Sequence, residues 1–429
     1  MLERRSLKQK IGASPIIRRG FSGVVSMAGP VAVAGAHFLA SALLIPHVDP
    51  AEFGTFAFAM VVLQVFTGIS DGLLGSPMAV TAHNAGSNNL NVFWSVNIIY
   101  CTFVFLISLV IFLGFTGATG ASFLAVFVAT MTFRWFCRAL LIQQDKKKHV
   151  WLADILYSCL LVGLLALVWV FEIITIEIVT LSLCAAAMIT LPLFLWALRG
   201  VLRIQPMLAA SKAFRPIWIE HSRWSLLGVG ANAITIESHV FVVSLIAGPA
   251  AFAPVAVAAL LYRPTLIGIY SIAQVERPRI AKIAHESGVE KGARETGIFI
   301  IVLCVMWFAN SVGASILISF FGEALSDKYD LSVVTECAAL LGAVMLVRSI
   351  RHPLLTFLQA VHRFKAVATM TGFVAPISVV ATISGLYVGG VTGSIAGLLF
   401  SDIALLVAVY TQFRTYSRSA DALKSRGPL

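Results

Sequence analysis

Twelve runs of about twenty apolar residues follow one another along the chain, at 21–46, 54–76, 92–115, 121–142, 150–171, 175–198, 222–247, 252–275, 297–321, 331–358, 367–388 and 392–413. That length is what an α-helix needs to cross the hydrocarbon of a bilayer. Inside lipid every backbone N–H and C=O must be bonded within its own segment, so such runs fold as helices. Together they occupy most of the 429 residues and leave no room for a soluble domain. Only 12% of the chain is charged, about half the share of an ordinary soluble domain. The expected fold class is an all-α integral membrane protein of about twelve transmembrane helices.

A net charge of +11 raises the question of a nucleic-acid partner, and the placement of the charges answers it. With the N-terminus inside, 24 of the 31 Lys and Arg fall in cytoplasmic segments and Lys328 alone falls in an outer loop. The remaining six, Arg134, Arg138, Arg223, Arg263, Arg348 and Arg351, lie within or at the ends of spans. Such a bias puts both termini in the cytoplasm. The surplus charge then serves topology and anionic membrane lipids, with no nucleic acid involved. The first run is too long for a signal peptide and no small-residue cleavage site follows it, so it stays as the first helix. Residues 1–20 are basic with apolar Ile11, Ile16 and Ile17, and are expected to lie along the inner membrane surface.

Buried arginine is the first functional signal. Arg263 sits near the middle of the eighth run and Arg134 well inside the fourth. A guanidinium at membrane depth costs at least ~2.5 kcal/mol and faces a protein interior or a wet cavity. A cationic interior implies an anionic cargo.

An internal repeat organises the chain. Pro50-Ala-Glu-Phe-Gly-Thr-Phe-Ala-Phe-Ala59 leads into the second run and Pro249-Ala-Ala-Phe-Ala-Pro-Val-Ala-Val-Ala258 into the eighth, 199 residues later. Five of the ten positions are identical: Pro50/Pro249, Ala51/Ala250, Phe53/Phe252, Ala57/Ala256 and Ala59/Ala258. An offset of six helices preserves orientation in the membrane, as in two-lobed transporters built from parallel repeats. The expected organisation is an N-tail at 1–20, an N-lobe at 21–198, a basic cytoplasmic linker at 199–221, a C-lobe at 222–413 and a C-tail at 414–429.

The basic N-tail, the long first helix, the turn Pro50-Ala-Glu-Phe-Gly54 and the closing Ser70-Asp-Gly-Leu-Leu-Gly75 of the second helix resemble the opening of Wzx-type polysaccharide flippases. These belong to the superfamily that includes multidrug and toxin extrusion transporters. The resemblance covers the whole chain in helix count and length, and at residue level is confined to the first two helices and the repeated turn. It implies two six-helix lobes around a central cavity open alternately to either side. It also implies an undecaprenyl-pyrophosphate-linked oligosaccharide as cargo, a bacterial inner membrane as location, and polysaccharide polymerase or export machinery as partners.

No catalytic motif, zinc-spaced His pair or phosphate-cradling glycine loop is present, so neither an enzyme nor a metal or cofactor is expected. Arg134 and Arg138 share one helix face and suit pyrophosphate, whose geometry matches the guanidinium fork. The competing reading is snorkelling to the inner surface, which fits Arg138 better. The seventh and eighth spans form a hairpin turning near 248–251, which puts Glu237 level with Arg263 as a static salt bridge or a switch. The same reasoning about the turn at 145–147 sets Asp154 opposite Arg138 as a structural pair. His221, Ser225, Gly228, Asn232, Thr235 and His239 share one face of the seventh span, which either lines the cavity or bonds to a neighbouring helix. Arg348, Arg351, His352, Thr356, Gln359 and Arg363 form a second stripe, either a ramp for cargo headgroups or snorkelling residues. Asp71 either ends the second helix or serves as an ion site. Asp402 lies mid-span with no assignable partner and is a candidate proton or sodium site. His37 reads as a satisfied core histidine, and the six cysteines read as small core residues. Pro30, Pro192, Pro254, Pro264 and Pro376 should kink or loosen their helices.

The expected function is a flippase for a lipid-linked anionic glycan. Its chief rival is a multidrug antiporter of the same fold, which needs acidic cavity groups, whereas the first span here holds no carboxylate. A lipid II flippase, with fourteen helices, and a membrane glycosyltransferase fit less well.

Overall fold

The computed structural model describes residues 15–81, 87–144, 146–199, 203–361 and 363–425. Most of the N-tail, 1–14, and the last residues of the C-tail, 426–429, fall outside these. Among the described residues the chain is helical with no strand. The first half comprises α1 (Pro15–Leu44), α2 (Pro50–Ser70), α3 (Ser87–Leu113), α4 (Ala118–Gln143), α5 (Lys147–Val170) and α6 (Ile176–Leu198). A short helix α7 (Met207–Ile217) leads into α8 (Arg223–Val242), α9 (Pro249–Leu261), α10 (Arg263–Ser287), α11 (Val289–Ser326), α12 (Leu331–Ala360) and α13 (Phe364–Ser425).

Nine described helices are long and apolar enough to cross a membrane, or ten when the bent pair α9–α10 counts as one span. Among the described residues the count falls short of the expected twelve, and two elements account for the difference. The described apolar part of α1, Gly29–Leu44, is shorter than a full crossing. The 62-residue α13 is two arms joined at Gly389 and Gly390, where the helical backbone breaks. Gly390 has φ +62°, ψ −147°, a region an L side chain rarely enters. The arms return side by side so tightly that a Cβ on Gly385 would come within 2.1 Å of the Gly393 carbonyl oxygen. Small residues are what permit such backbone approach between membrane helices.

Packing is unequal along the bundle. One core joins residues of both halves: Phe53, Phe56 and Val104 from the first, with Phe252, Val255 and Leu341 from the second. Towards the opposite end it gives way to two separate cores. Leu74, Phe93, Phe136 and Phe194 belong to the first half, and Ile269, Phe299, Leu354 and Phe357 to the second. The two halves are thus fused at the end carrying the Pro50 and Pro249 turns and divided at the other. At the fused end the two repeated turns touch. A Cβ on Gly54 would lie 1.9 Å from the Pro249 carbonyl oxygen, so only glycine fits. Lys328 adds a hydrogen bond from Nζ to the Val48 carbonyl at 3.1 Å, and Tyr329 meets the edge of Phe53.

One expectation about helix shape is corrected. Asp71 does not end α2: it opens a π-turn, Asp71–Gly75, from which the helix continues as Ser76–Thr81. Pro30, Pro192, Pro254 and Pro376 lie inside continuous helices. Pro264 alone of the five coincides with a break, the 54° bend between α9 and α10. Proline has no N–H, so residue 264 cannot make the helical bond to the Leu260 carbonyl four residues earlier. The next carbonyl, Leu261, instead accepts from Asn310 Nδ2 of α11 at 3.0 Å. Four cysteines are buried as expected, but Cys304 is partly exposed and Cys159 lies on the surface.

Candidate functional site

Below the fused end lies a cavity of about 120 Å³ between the halves. From α2 it is lined by Phe53, Ala57, Met60, Val61 and Gln64. From α9 and α10 it is lined by Phe252, Ala256, Ala259, Leu260 and Arg263, each 199 residues after its counterpart. Tyr262 and Leu266 extend the second wall. The repeat seen in the turns therefore continues down both walls, and Gln64 and Arg263 occupy matching positions. Ser41 of α1, Glu237 and His239 of α8, and Arg348 of α12 complete the polar lining.

Arg263 stands at the first turn of α10, where the helix break ends the apolar wall. Among the described residues it makes no ion pair and no hydrogen bond, and it is partly exposed. Glu237 is level with it, as the hairpin geometry suggested, and within electrostatic range. The two do not form a salt bridge in this state. Glu237 instead accepts a hydrogen bond at 3.0 Å from Nε2 of Gln64, which belongs to the other half.

Arg348 reaches the cavity with its Nε bonded to Asp402 Oδ2 at 2.8 Å and its other end on the Ile236 carbonyl at 3.3 Å. Arg351 bonds the second carboxylate oxygen of Asp402 and stands behind the lining, 1% exposed. This corrects two expectations. Asp402 has partners, two guanidinium groups from α12, and those arginines are buried rather than snorkelling. Two adjacent cations leave one carboxylate little room to serve as an ion site. A residue fully buried in the C-terminal arm of α13 could not be matched to α12 from spacing alone.

Arg134 does not line the cavity. It is 3% exposed inside the first half, donating to the Ala153 carbonyl at 2.9 Å and to Asp154 Oδ1 at 3.2 Å. Its guanidinium also lies 4.1 Å from the centre of the Tyr157 ring. Arg138 binds the same Asp154 through Nε at 3.0 Å, the pair expected across the α4–α5 turn, and stacks on Trp135. Both arginines are therefore moved from cargo contact to the packing of α4 against α5. His37 is buried, as expected, sharing a 2.7 Å hydrogen bond with the Tyr157 hydroxyl.

The stripe on α8 divides. His239 lines the cavity, whereas Asn232 is exposed and does not. Thr235 and its neighbour Ser238 face α13: Ser378 donates to the Thr235 carbonyl at 3.2 Å, and Ser238 meets Ser378 and Thr382 at 3.0 and 3.1 Å. The Thr235 hydroxyl itself turns back to the Ala231 carbonyl of its own helix. Asp71 is exposed at the π-turn, away from the cavity. Among the described residues no cluster of three or more metal-ligating side chains occurs. Gln64 and Ser41 were not singled out from sequence. Gln64 had a signal, the 199-residue offset from Arg263, and Ser41 had none.

No family model matches the chain, and no curated protein matches it in sequence. Solved structures match it in fold. The inward-facing conformation of a multidrug resistance MATE family transporter of the MOP superfamily aligns with 93% of this chain and 99% of its own, at TM-score 0.68 and 12% identity. MATE in the straight conformation covers 93% and 95%, at 0.60 and 12%. An outward-facing conformation of a multidrug resistance MATE family transporter covers 93% and 95%, at 0.58 and 14%. Identities this low speak of architecture. The chain is a multi-pass membrane protein with the fold of these transporters.

Proposed function

We propose that the protein is an alternating-access flippase that carries an undecaprenyl-pyrophosphate-linked oligosaccharide from the inner to the outer leaflet of a bacterial inner membrane. The observation that carries this reading is Arg263: a cation at membrane depth, lining the central cavity without a counter-ion bonded to it. Arg348 and Glu237 share the lining with it, and behind the wall Asp402 is held between Arg348 and Arg351, so the group counts three guanidiniums against two carboxylates. A site with net positive charge suits pyrophosphate. The rival, a multidrug antiporter of the same fold that exports organic cations, would require the opposite sign.

The cavity has room for about four water molecules at ~30 Å³ each, so its enclosed part fits a phosphate headgroup rather than a glycan. The glycan would occupy the divided end, between the two separate cores. On the charge distribution that end faces the cytoplasm, so the present state is loading from inside. The lobes are 21–198 and 222–413, joined by a linker at 199–221 that includes α7.

The test is glycan export in a strain lacking the protein and complemented with Arg263→Ala or Arg263→Lys at matched membrane levels. Losing a hydrogen-bonded charge at phosphate costs about 1.5–3 kcal/mol, roughly a tenfold to hundredfold loss of binding. Lys should restore only part, because an ammonium lacks the two-pronged fork. Full export by Arg263→Ala would leave Arg263 a structural role at most and remove the basis for an anionic cargo.

A further inference from the structure

We propose that Glu237 switches the anion site, bonding Gln64 in the present state and Arg263 once the two halves part, so that Arg263 is available to cargo in one state only. This rests on the reading that Arg263 holds the cargo's phosphate. The Gln64–Glu237 hydrogen bond joins α2 of the first half to α8 of the second, residues 173 apart in sequence. It crosses the cavity, so any motion that separates the walls must break it. Glu237 is 9% exposed, and a carboxylate buried to that degree does not stay without a partner.

The alternatives open to it are few. Glu237 feels the charges of Arg348, Arg263 and Asp402. Arg348 is committed to Asp402 and the Ile236 carbonyl, while Arg263 is bonded to no described residue. Arg263 is thus the cation to which a released Glu237 turns. The 199-residue offset adds a reason. Gln64 and Arg263 hold equivalent places on opposite walls, one neutral and one cationic, with a single carboxylate able to serve either. With the fused end shut, the neutral donor holds Glu237 and the guanidinium is free for phosphate. When the walls separate, Glu237 competes for Arg263 and the phosphate leaves. Loading and release then differ in affinity without an added ligand.

The test is binding of farnesyl pyrophosphate to the full-length protein in lipid nanodiscs, with each variant first shown to be monodisperse. Gln64→Leu should weaken binding at least fivefold, because Glu237 then takes Arg263 in the resting state. The double variant Gln64→Leu/Glu237→Gln should recover wild-type binding, since an amide cannot neutralise the guanidinium. Glu237→Gln alone should bind at least as tightly as wild type yet export glycan more slowly, through lost release. A merely structural Gln64 would not be rescued by a change at position 237. If Gln64→Leu binds like wild type, or the double variant no better than Gln64→Leu, the switch is overturned. Binding undiminished in Arg263→Ala would instead overturn the cargo reading beneath it, and the two failures are distinguishable.

Discussion

The two walls of the cavity begin alike and end differently. Helix α2 and the pair α9–α10 both start at a proline, share apolar residues in register and reach the cavity floor after the same number of residues. There α2 runs on unbroken past Gln64 to a π-turn, whereas its counterpart bends by 54° at Arg263. At this bend the second wall has Pro264 where the first has Val65. The arginine clusters repeat the contrast. Arg134 and Arg138 close on Asp154 inside the first half, away from the cavity, while Arg348 carries the charge of its cluster into the lining. The first half is thus a neutral wall and the second the cationic one. The walls share a shape, and the charge lies on one side.

Gly54 should show the largest effect, because it is where the walls depend on each other. A Cβ there would sit 1.9 Å from the backbone oxygen of Pro249, and backbone cannot step aside as a side chain can. Its counterpart in the repeat, Ala253, already carries a methyl. Gly54→Val should therefore bar the fused end from closing and cut export by at least tenfold, while Ala253→Val is tolerated better. A cysteine placed at Ala57 should become reactive to an impermeant thiol reagent added outside. Export at the wild-type rate by Gly54→Val, with protein levels matched, would mean that the two turns need not meet during the cycle.

The carboxylates test whether the two clusters differ in role as they do in place. Removing one partner of a buried ion pair costs about 3–5 kcal/mol, because the remaining charge is left without compensation. Asp154→Asn and Asp402→Asn should both lower the thermal midpoint in detergent. Only Asp402→Asn should also change farnesyl pyrophosphate binding per folded molecule, since Arg348 lines the cavity and Arg134 does not. Equal loss of binding in both variants would erase the distinction between a packing cluster and a site cluster.

Much of this was legible in the sequence, and the limits are instructive. Span positions and the turn at 145–147 could be read because hydrophobic runs and hairpin geometry are local, and the Arg138–Asp154 pair followed from them. The 199-residue offset was visible in ten residues, but its continuation to Gln64 was hidden because Gln and Arg share no obvious similarity. Arg134 misled because depth in the membrane reports burial and says nothing about which interior a side chain enters. Asp402 misled for the converse reason: its partners lie 54 and 51 residues earlier, a separation that no periodicity encodes.

The break at Pro264 offers the finest test of the contrast between the walls. Restoring an amide with Pro264→Ala would let residue 264 donate to the Leu260 carbonyl, as Val65 can in α2, and draw α9 and α10 into one helix. In a helix interior proline costs about 3 kcal/mol relative to Ala, although tertiary packing around the bend offsets most of the gain. Asn310, which now bonds the Leu261 carbonyl at 3.0 Å, would lose its acceptor, at about 1 kcal/mol. The net expectation is a thermal midpoint within a few degrees of wild type and an export rate reduced severalfold, because a straightened wall carries Arg263 away from its present place opposite Gln64. Asn310→Ala should act in the same direction and more weakly, loosening the bend without removing it. Should Pro264→Ala export at the wild-type rate, the break would be an accident of packing. The asymmetry that matters would then reduce to the side chains at Gln64 and Arg263 alone.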